Sequence, residues 1–266
     1  MSTVTGIGNE PLEPAVPRTA RAAGRILPVF RLQFVNRWSA FVIPWLVLAF
    51  IFLVNFAIWL IIVANVQNPA DRADAQSGLQ FSGASFYVFV YLGIFAAQAI
   101  AFTFPFALGY STTRREYYLG TALAFAGMAA LYAVALTVLS VIETATGGWG
   151  VGGQMFSAVY FGGPDAPWWV RLFIFFSAFA FFLFLGSTIA AVYMRWRNNG
   201  MLIFFAAAAL IVLGLVALAT FTNSWPLVGE WFVANGAPGV AAWLFAPTVL
   251  SALAGYLVLS RATPKN

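Results

Sequence analysis

A short polar run between two long apolar segments has the spacing of a capped helix start. Thr113 and Glu116 lie three residues apart, as in a capping box, where each side chain binds the backbone N–H of the other residue. Arg114, Arg115 and Tyr117 complete the run. The pattern predicts a rigid helical knob with two cations and one anion, which suits docking to a soluble partner. The alternative is an ordinary basic turn between two spans.

Three polar residues lie within or at the end of apolar runs: Asn55, Gln98 and Glu143. Polar groups are costly in a bilayer and tend to face protein or water, so these are the candidate pathway or gate residues. For Asn55 and Gln98 the main alternative is hydrogen bonding between helices, at roughly 1 kcal/mol for each bond. For Glu143 the alternatives are a place at the membrane interface or pairing with Arg171.

The chain contains no cysteine and no histidine, which excludes thiolate chemistry, disulfides and cysteine or histidine zinc sites. It also lacks a glycine-rich loop ending in Gly-Lys-Ser or Gly-Lys-Thr, and its sole lysine is Lys265. Because that loop is what holds nucleotide phosphates, we expect no ATP hydrolysis by this chain. We therefore predict no catalytic residue, no metal site and no enzyme activity of its own.

Composition indicates that these residues belong to a membrane protein. The hydrophobic fraction is 62% and the charged fraction 8%, whereas soluble domains carry about 25% charged residues. Six apolar runs have the roughly 20 residues needed to cross a bilayer as helix, and none alternates as barrel strands do. We predict an all-α membrane protein with six transmembrane helices. The predicted spans are approximately 41–66, 84–109, 117–142, 171–194, 200–222 and 240–260.

The basic residues predict the orientation. With the N-terminus inside, 11 of the 13 arginines and lysines flank the cytoplasmic ends of the spans, and only Arg72 and Arg171 do not. Cytoplasmic flanks are enriched in these residues, so both termini are predicted to be cytoplasmic. Residues 1–24 form a polar cytoplasmic tail, and residues 25–266 form one transmembrane domain. The net charge of +5 follows this topology, and we expect no nucleic-acid partner.

Residues 25–38, before the first span, have a modest helical period. They predict an amphipathic helix on the cytoplasmic leaflet, with a basic flank that only sets topology as the alternative. The apolar side would hold Leu27, Phe30, Phe34 and Trp38, and the polar side Gln33, Asn36 and Arg37.

Two further features concern packing. A segment at 222–238 could re-enter the membrane without crossing it, which requires protein around its backbone. Small residues four apart predict close helix packing; the pairs are Gly120 with Ala124, Gly186 with Ala190, and Ser251 with Gly255.

The whole layout resembles the permease subunits of ATP-binding-cassette exporters of the type-2 class, in particular small six-span permeases of actinobacteria. The shared features are the helix before the first span, six spans, and a long outer connection after the third. The most specific is the loop Gly-x-Ser-Thr-Thr-Arg-Arg-Glu-Tyr-Tyr-Leu-Gly-Thr from Gly109 to Thr121.

The resemblance implies that Thr113, Arg114, Arg115, Glu116 and Tyr117 form a coupling helix received by a separate nucleotide-binding ATPase subunit. ATP and Mg would be held by that subunit, and this chain would hold no cofactor. Two permeases, identical or related, would pair in the bacterial plasma membrane. They would move an apolar or amphipathic cargo such as a drug, a peptide or a lipid.

Two other functions stay open at this point. A gradient-driven transporter or channel would need an intramembrane acid, and Glu143 is the candidate. A membrane scaffold that transports nothing would need neither that acid nor an ATPase partner.

Overall fold

A computed structural model describes residues 26–66 and 78–262 of the chain, and all regular structure in these ranges is helical. The predicted tail at 1–24 and Arg72 lie outside the described residues. Residues 26–32 form α1, and a π-helix at Trp38–Val42 leads into α2 (Ile43–Asn65). The longer helices that follow are α3 (Phe86–Gly109), α4 (Arg114–Ala145), α5 (Trp168–Phe221), α6 (Trp225–Trp243) and α7 (Phe245–Ser260).

Five helical stretches of the described chain are long and apolar enough to cross a membrane. They are Trp38–Asn65, Leu79–Gly109, Arg114–Ala145, Trp168–Phe221 and Trp225–Ser260. The predicted all-α class with several candidate spans is confirmed, and the first three predicted spans coincide closely with α2, α3 and α4. The finer prediction of six separate spans is not confirmed by this count.

The difference in number arises at α5. The predicted spans 171–194 and 200–222 both fall within this 54-residue helix, whose length of about 80 Å far exceeds the roughly 30 Å hydrocarbon core. Arg197 interrupts it with φ 57° and ψ −145°. The chain bends there: a Cβ on Gly200 would lie only 3.5 Å from Val192 Cγ1, whereas eight residues of straight helix rise about 12 Å. Residues 168–196 and 198–221 are therefore two helical parts.

A second break divides α6. Gly236 has φ 60° and ψ −176°, and Pro238 follows it within the same helix. The part before the break, residues 225–235, is about 16 Å long, which is too short to cross a bilayer alone. The segment at 222–238 is thus largely helical, and its re-entry into the membrane stays a prediction.

The core lies between α3, α4, residues 168–196 and α7. Phe89 of α3 packs on Phe179 of α5 with ring centroids 4.5 Å apart. Gly186 lies so close to α3 that an added Cβ would overlap the Gly93 carbonyl. An added Cβ on Gly255 would lie 3.4 Å from the Tyr118 hydroxyl. The small residues therefore mark close helix contacts, as their spacing predicted.

Helix α1 packs on the start of α4. A Cβ on Gly120 would come within 2.7 Å of Val29 Cβ, so only glycine leaves room for α1 here. Gln33 follows α1 directly and is 4% exposed. The sequence placed Gln33 on the polar side of the predicted amphipathic helix, whereas its side chain is buried against α3 and α4. The amphipathic interfacial helix is not confirmed.

Residues 198–235, which we call the exposed arm, contrast with this core. Every residue from 201 to 234 is at least partly exposed, although this stretch holds an apolar helix of the same composition as the buried ones. In the first half of α5, by comparison, Phe175 and Phe179 are fully buried. Within the described chain, little packs against the arm.

Candidate functional site

A glycine-rich loop, residues 146–161, follows α4 and folds back toward it. Five of the seven residues from 147 to 153 are glycine. Gly147 and Gly148 have φ 63° and 70°, a left-handed conformation that favours glycine. Gly148 also has no room for a side chain, because a Cβ there would lie 2.7 Å from Gly153 N. These residues reverse the chain and return the loop to the end of α4.

Glu143 lies under this loop and is fully buried. Its carboxylate accepts hydrogen bonds from Trp149 Nε1 at 2.8 Å and from the Ser157 hydroxyl at 2.7 Å. The backbone N–H groups of Met155, Phe156 and Ser157 also donate to it, at 3.0, 3.0 and 2.7 Å. We call this arrangement the Glu143 clasp. It satisfies a buried charge with aligned donors, as buried charges require.

Arg171, in the first turn of α5, is also buried in this region, at 2% exposure. Its Nη1 donates to the Ser140 carbonyl at 3.3 Å, and its Nη2 donates to the carbonyls of Gly163 and Pro164 at 3.1 and 2.6 Å. Arg171 therefore joins α4 to the chain that leads into α5. The two opposite charges stabilise the same region without a direct ion pair between these described side chains.

This geometry bears on the alternatives for Glu143. The side chain does not sit at an open interface, because it is fully covered. It holds the glycine-rich loop on the end of α4 through five donors, which makes it a positioning residue for that loop. A gate role would have to act through movement of the loop as a unit.

Tyr160 lies at the end of the glycine-rich loop, near the Glu143 carboxylate. Burial raises the pKa of the Tyr160 phenol above its ordinary value of 10.0; the neighbouring Ser85 side chain lowers it in part, and the Glu143 charge adds a smaller increase. Its hydroxyl is buried and has no hydrogen-bond partner among the described residues. The phenol is therefore held in its neutral form in the folded chain.

The second polar cluster is the α3–α4 turn, residues 110–117. The predicted capping box is confirmed: Glu116 N donates to Thr113 Oγ1 at 3.2 Å, and Thr113 N donates to Glu116 Oε2 at 3.0 Å. Ser111 has φ 58°, which turns the chain sharply before the cap. The start of α4 is thus fixed by local hydrogen bonds.

The five predicted coupling residues differ in accessibility. Thr113 and Arg115 are exposed, whereas Arg114 donates from Nη1 to the Ser260 carbonyl at 2.8 Å and so ties α4 to the end of α7. Tyr117 is fully buried and cannot touch a partner in this conformation. Of the five predicted residues, Thr113 and Arg115 are therefore the most accessible to a partner, with Glu116 half-buried beside them.

A buried polar cluster below this turn was missed by sequence reasoning. Gln33 Nε2 donates to Thr121 Oγ1 at 2.9 Å and to Thr103 Oγ1 at 3.3 Å, and the Tyr117 hydroxyl lies 2.7 Å from Thr103 Oγ1. It joins the end of α1 to α3 and α4. The sequence did offer one sign of this cluster. Thr103 lies in the apolar run before the α3–α4 turn, and Thr121 lies in the apolar run after it.

Asn55 and Gln98 have different surroundings. Asn55 Nδ2 donates to the Ile51 carbonyl at 2.9 Å, and its Oδ1 accepts a long bond of 3.5 Å from Ser82. It thus links α2 to the chain before α3. Gln98 lies near the middle of α3 and is exposed. The structure does not bring Asn55, Gln98 and Glu143 together into one pathway.

Within residues 26–66 and 78–262, no group of three or more acidic, histidine or cysteine side chains could hold a metal ion. No protein-family model, no curated protein and no solved structure matches the chain. Within the described residues, all regular structure is helical, and five helical stretches are long and apolar enough to cross a membrane.

Proposed function

We propose that the chain is the transmembrane permease subunit of an ATP-driven exporter. In this proposal a separate subunit binds and hydrolyses Mg-ATP, and the chain crosses the bacterial plasma membrane six times with both termini in the cytoplasm. The break at Arg197 supports six spans, because it divides α5 into two helices that are each long enough to cross. The cargo is apolar or amphipathic: a drug, a peptide or a lipid.

The observation that carries the proposal is the unbroken helix α4. It runs for 32 residues, about 48 Å, from the capping box at Thr113 to the Glu143 clasp. A push on the α3–α4 turn therefore moves the glycine-rich loop at the other end. This is the mechanical link that an ATPase subunit on one side needs in order to open a path on the other.

The alternative of a gradient-driven transporter requires an acid that takes up and releases protons or ions. Glu143 is poorly suited to this, because five donors fill its carboxylate oxygens. The same donors hold the glycine-rich loop in place, and an ion bound at the carboxylate would have to displace them. The clasp thus favours mechanical transmission over proton exchange.

Pairing with a second permease is supported by Gln98 and by the exposed side chains around it on α3. An uncovered amide near the middle of a span is costly in lipid, and glutamine carries both donors and an acceptor that match a second glutamine across a two-fold axis. Val90, Ile94 and Phe102 extend the same exposed stripe of α3. We propose a second copy of this chain as the partner on this stripe.

The coupling is tested with the chain co-expressed with candidate ATPase subunits and reconstituted in lipid nanodiscs. Arg115→Glu reverses the exposed charge of the α3–α4 turn without breaking the Arg114 contact to Ser260. We expect it to uncouple ATP hydrolysis from transport or to release the ATPase. Arg37→Glu, an exposed arginine before α2, is the matched control and should do neither.

The pairing is tested by cysteine crosslinking, for which the cysteine-free chain is suitable without further change. Gln98→Cys should form a disulfide-linked dimer under mild oxidation in membranes. Val134→Cys, exposed on α4, should not. A chain that crosslinks through Gln98→Cys but binds no ATPase would favour the scaffold or the gradient-driven transporter.

A further inference from the structure

A lateral groove opens between α2 and α4, beneath the glycine-rich loop. One wall is formed by Leu48, Ala49 and Phe52 of α2, and the other by Ala135 and its neighbours on α4. Trp149 and Phe156 of the loop form its roof. The groove has a volume of about 460 Å³, within the range of roughly 300–1,000 Å³ that small-molecule sites occupy.

The described lining of the groove is aliphatic and aromatic, and its side-chain nitrogens belong to the indoles of Trp45 and Trp149. The indole N–H of Trp149 is directed to Glu143, at 2.8 Å, so the roof presents the carbon surface of the ring. Trp45 stacks on Tyr132 with ring centroids 5.3 Å apart. The groove is therefore built for a ligand, or a part of one, without polar groups.

The surfaces on both sides of the groove indicate what reaches it. Leu46 and Leu53 on α2 are 60% and 61% exposed, and Val134 and Val138 on α4 are both 52% exposed. These helices are candidate spans, so in a bilayer the outward faces that border the groove would contact lipid chains. The groove would then open sideways into the hydrocarbon layer.

We propose that the groove binds one acyl chain of a membrane lipid. The chain packs between α2 and α4 with its upper part against Trp149 and Phe156. Because Trp149 also donates to Glu143, the bound lipid supports the glycine-rich loop from below and stabilises the Glu143 clasp. The site is separate from the α3–α4 turn and does not depend on the presence of an ATPase subunit.

The probe is phosphatidylcholine with bromine atoms on its acyl chains, which quench tryptophan on contact. The full chain is reconstituted in vesicles of brominated or ordinary phosphatidylcholine, and the emission of Trp149 is obtained by subtracting a Trp149→Phe variant. Two substitutions fill the groove, Ala49→Phe and Ala135→Leu. Ala57→Phe adds the same ring at an exposed position of α2 outside the groove and is the matched control.

We expect brominated lipid to quench Trp149 in the wild type and in Ala57→Phe, with loss of that quenching in both groove-filling variants. We also expect the wild type to retain lipid through purification in detergent, measured by native mass spectrometry. Equal quenching in all four proteins would mean ordinary surrounding lipid only and would overturn the proposal. Absence of quenching in the wild type would mean that protein covers the groove, with the same consequence. Should both filled variants fail to fold, lipid retention by the wild type decides.

Discussion

The two ends of α4 carry polar clusters of opposite character. At the Glu143 clasp both carboxylate oxygens are buried and accept hydrogen bonds from groups of the same chain. At the α3–α4 turn the capping box is satisfied locally, but the Arg115 side chain is exposed. The first cluster fixes structure, and the second leaves a charge available to another molecule. We therefore expect partner binding at the turn and a purely structural role for the clasp.

Glu143→Ala should have the largest effect on stability, because it removes the acceptor at the centre of the Glu143 clasp. It leaves three backbone N–H groups, an indole N–H and a hydroxyl without their acceptor, and it removes one of the two carboxylates that act on the buried Arg171, the other being Asp165. We expect a loss of about 3–5 kcal/mol in the free energy of unfolding, measured by chemical denaturation in detergent. Glu230→Ala, at an exposed position of the arm, is the control. Equal stability of the two variants would mean that the clasp does not hold the loop.

Thr113→Ala removes the cap at the other end of α4. Loss of a threonine cap costs roughly 1 kcal/mol, so the effect on unfolding should be clearly smaller than that of Glu143→Ala. Thermal unfolding of the two purified variants side by side gives the ranking. A larger loss for Thr113→Ala would show that the turn, and not the clasp, anchors α4.

Arg114→Ala and Arg115→Ala separate the two neighbouring cations. Arg114 caps the Ser260 carbonyl at the end of α7, a contact of about 0.3–1 kcal/mol for a partly exposed cation at a helix C-terminus. Arg115→Ala should leave stability unchanged within error. Binding of the ATPase subunit should show the opposite ranking, with the larger loss for Arg115→Ala. If Arg114→Ala caused the larger loss in both assays, the proposed difference in role between the two arginines would be wrong.

Tyr160→Phe should change the free energy of unfolding little at neutral pH, because it removes a buried hydroxyl that has no partner in the described chain. Since the folded-state pKa is raised above 10.0, the unfolded chain loses this proton first as pH rises. The wild type should therefore lose stability above about pH 10, and Tyr160→Phe should lose less. Parallel stability curves for both proteins up to higher pH would contradict this.

The sequence predicted features that depend on local spacing. The capping box follows from Thr113 and Glu116 alone, and the close helix contacts follow from small residues such as Gly186. The apolar runs at α2, α3 and α4 were found for the same reason, since length and composition decide whether a helix can cross a bilayer.

Features set by contacts between distant segments were not predicted. Glu143 finds its donors in a loop more than a helical turn away, and Arg114 finds Ser260 at the far end of the chain. Gln33 is polar by type yet buried, because Thr103 and Thr121 provide partners that no local pattern reveals. The exposed arm resembles buried helices in composition, since lipid and protein select the same residues.

The unbroken α4 also fixes an angular relation between its two ends. One residue inserted between Thr113 and Glu143 would rotate Glu143 by about 100° around the helix axis and displace it by about 1.5 Å. The carboxylate would then point away from its donors while the cap stayed intact. Insertions in this helix should therefore be far less tolerated than insertions in the loop after it, because the number of residues between Thr113 and Glu143 sets the direction in which Glu143 points.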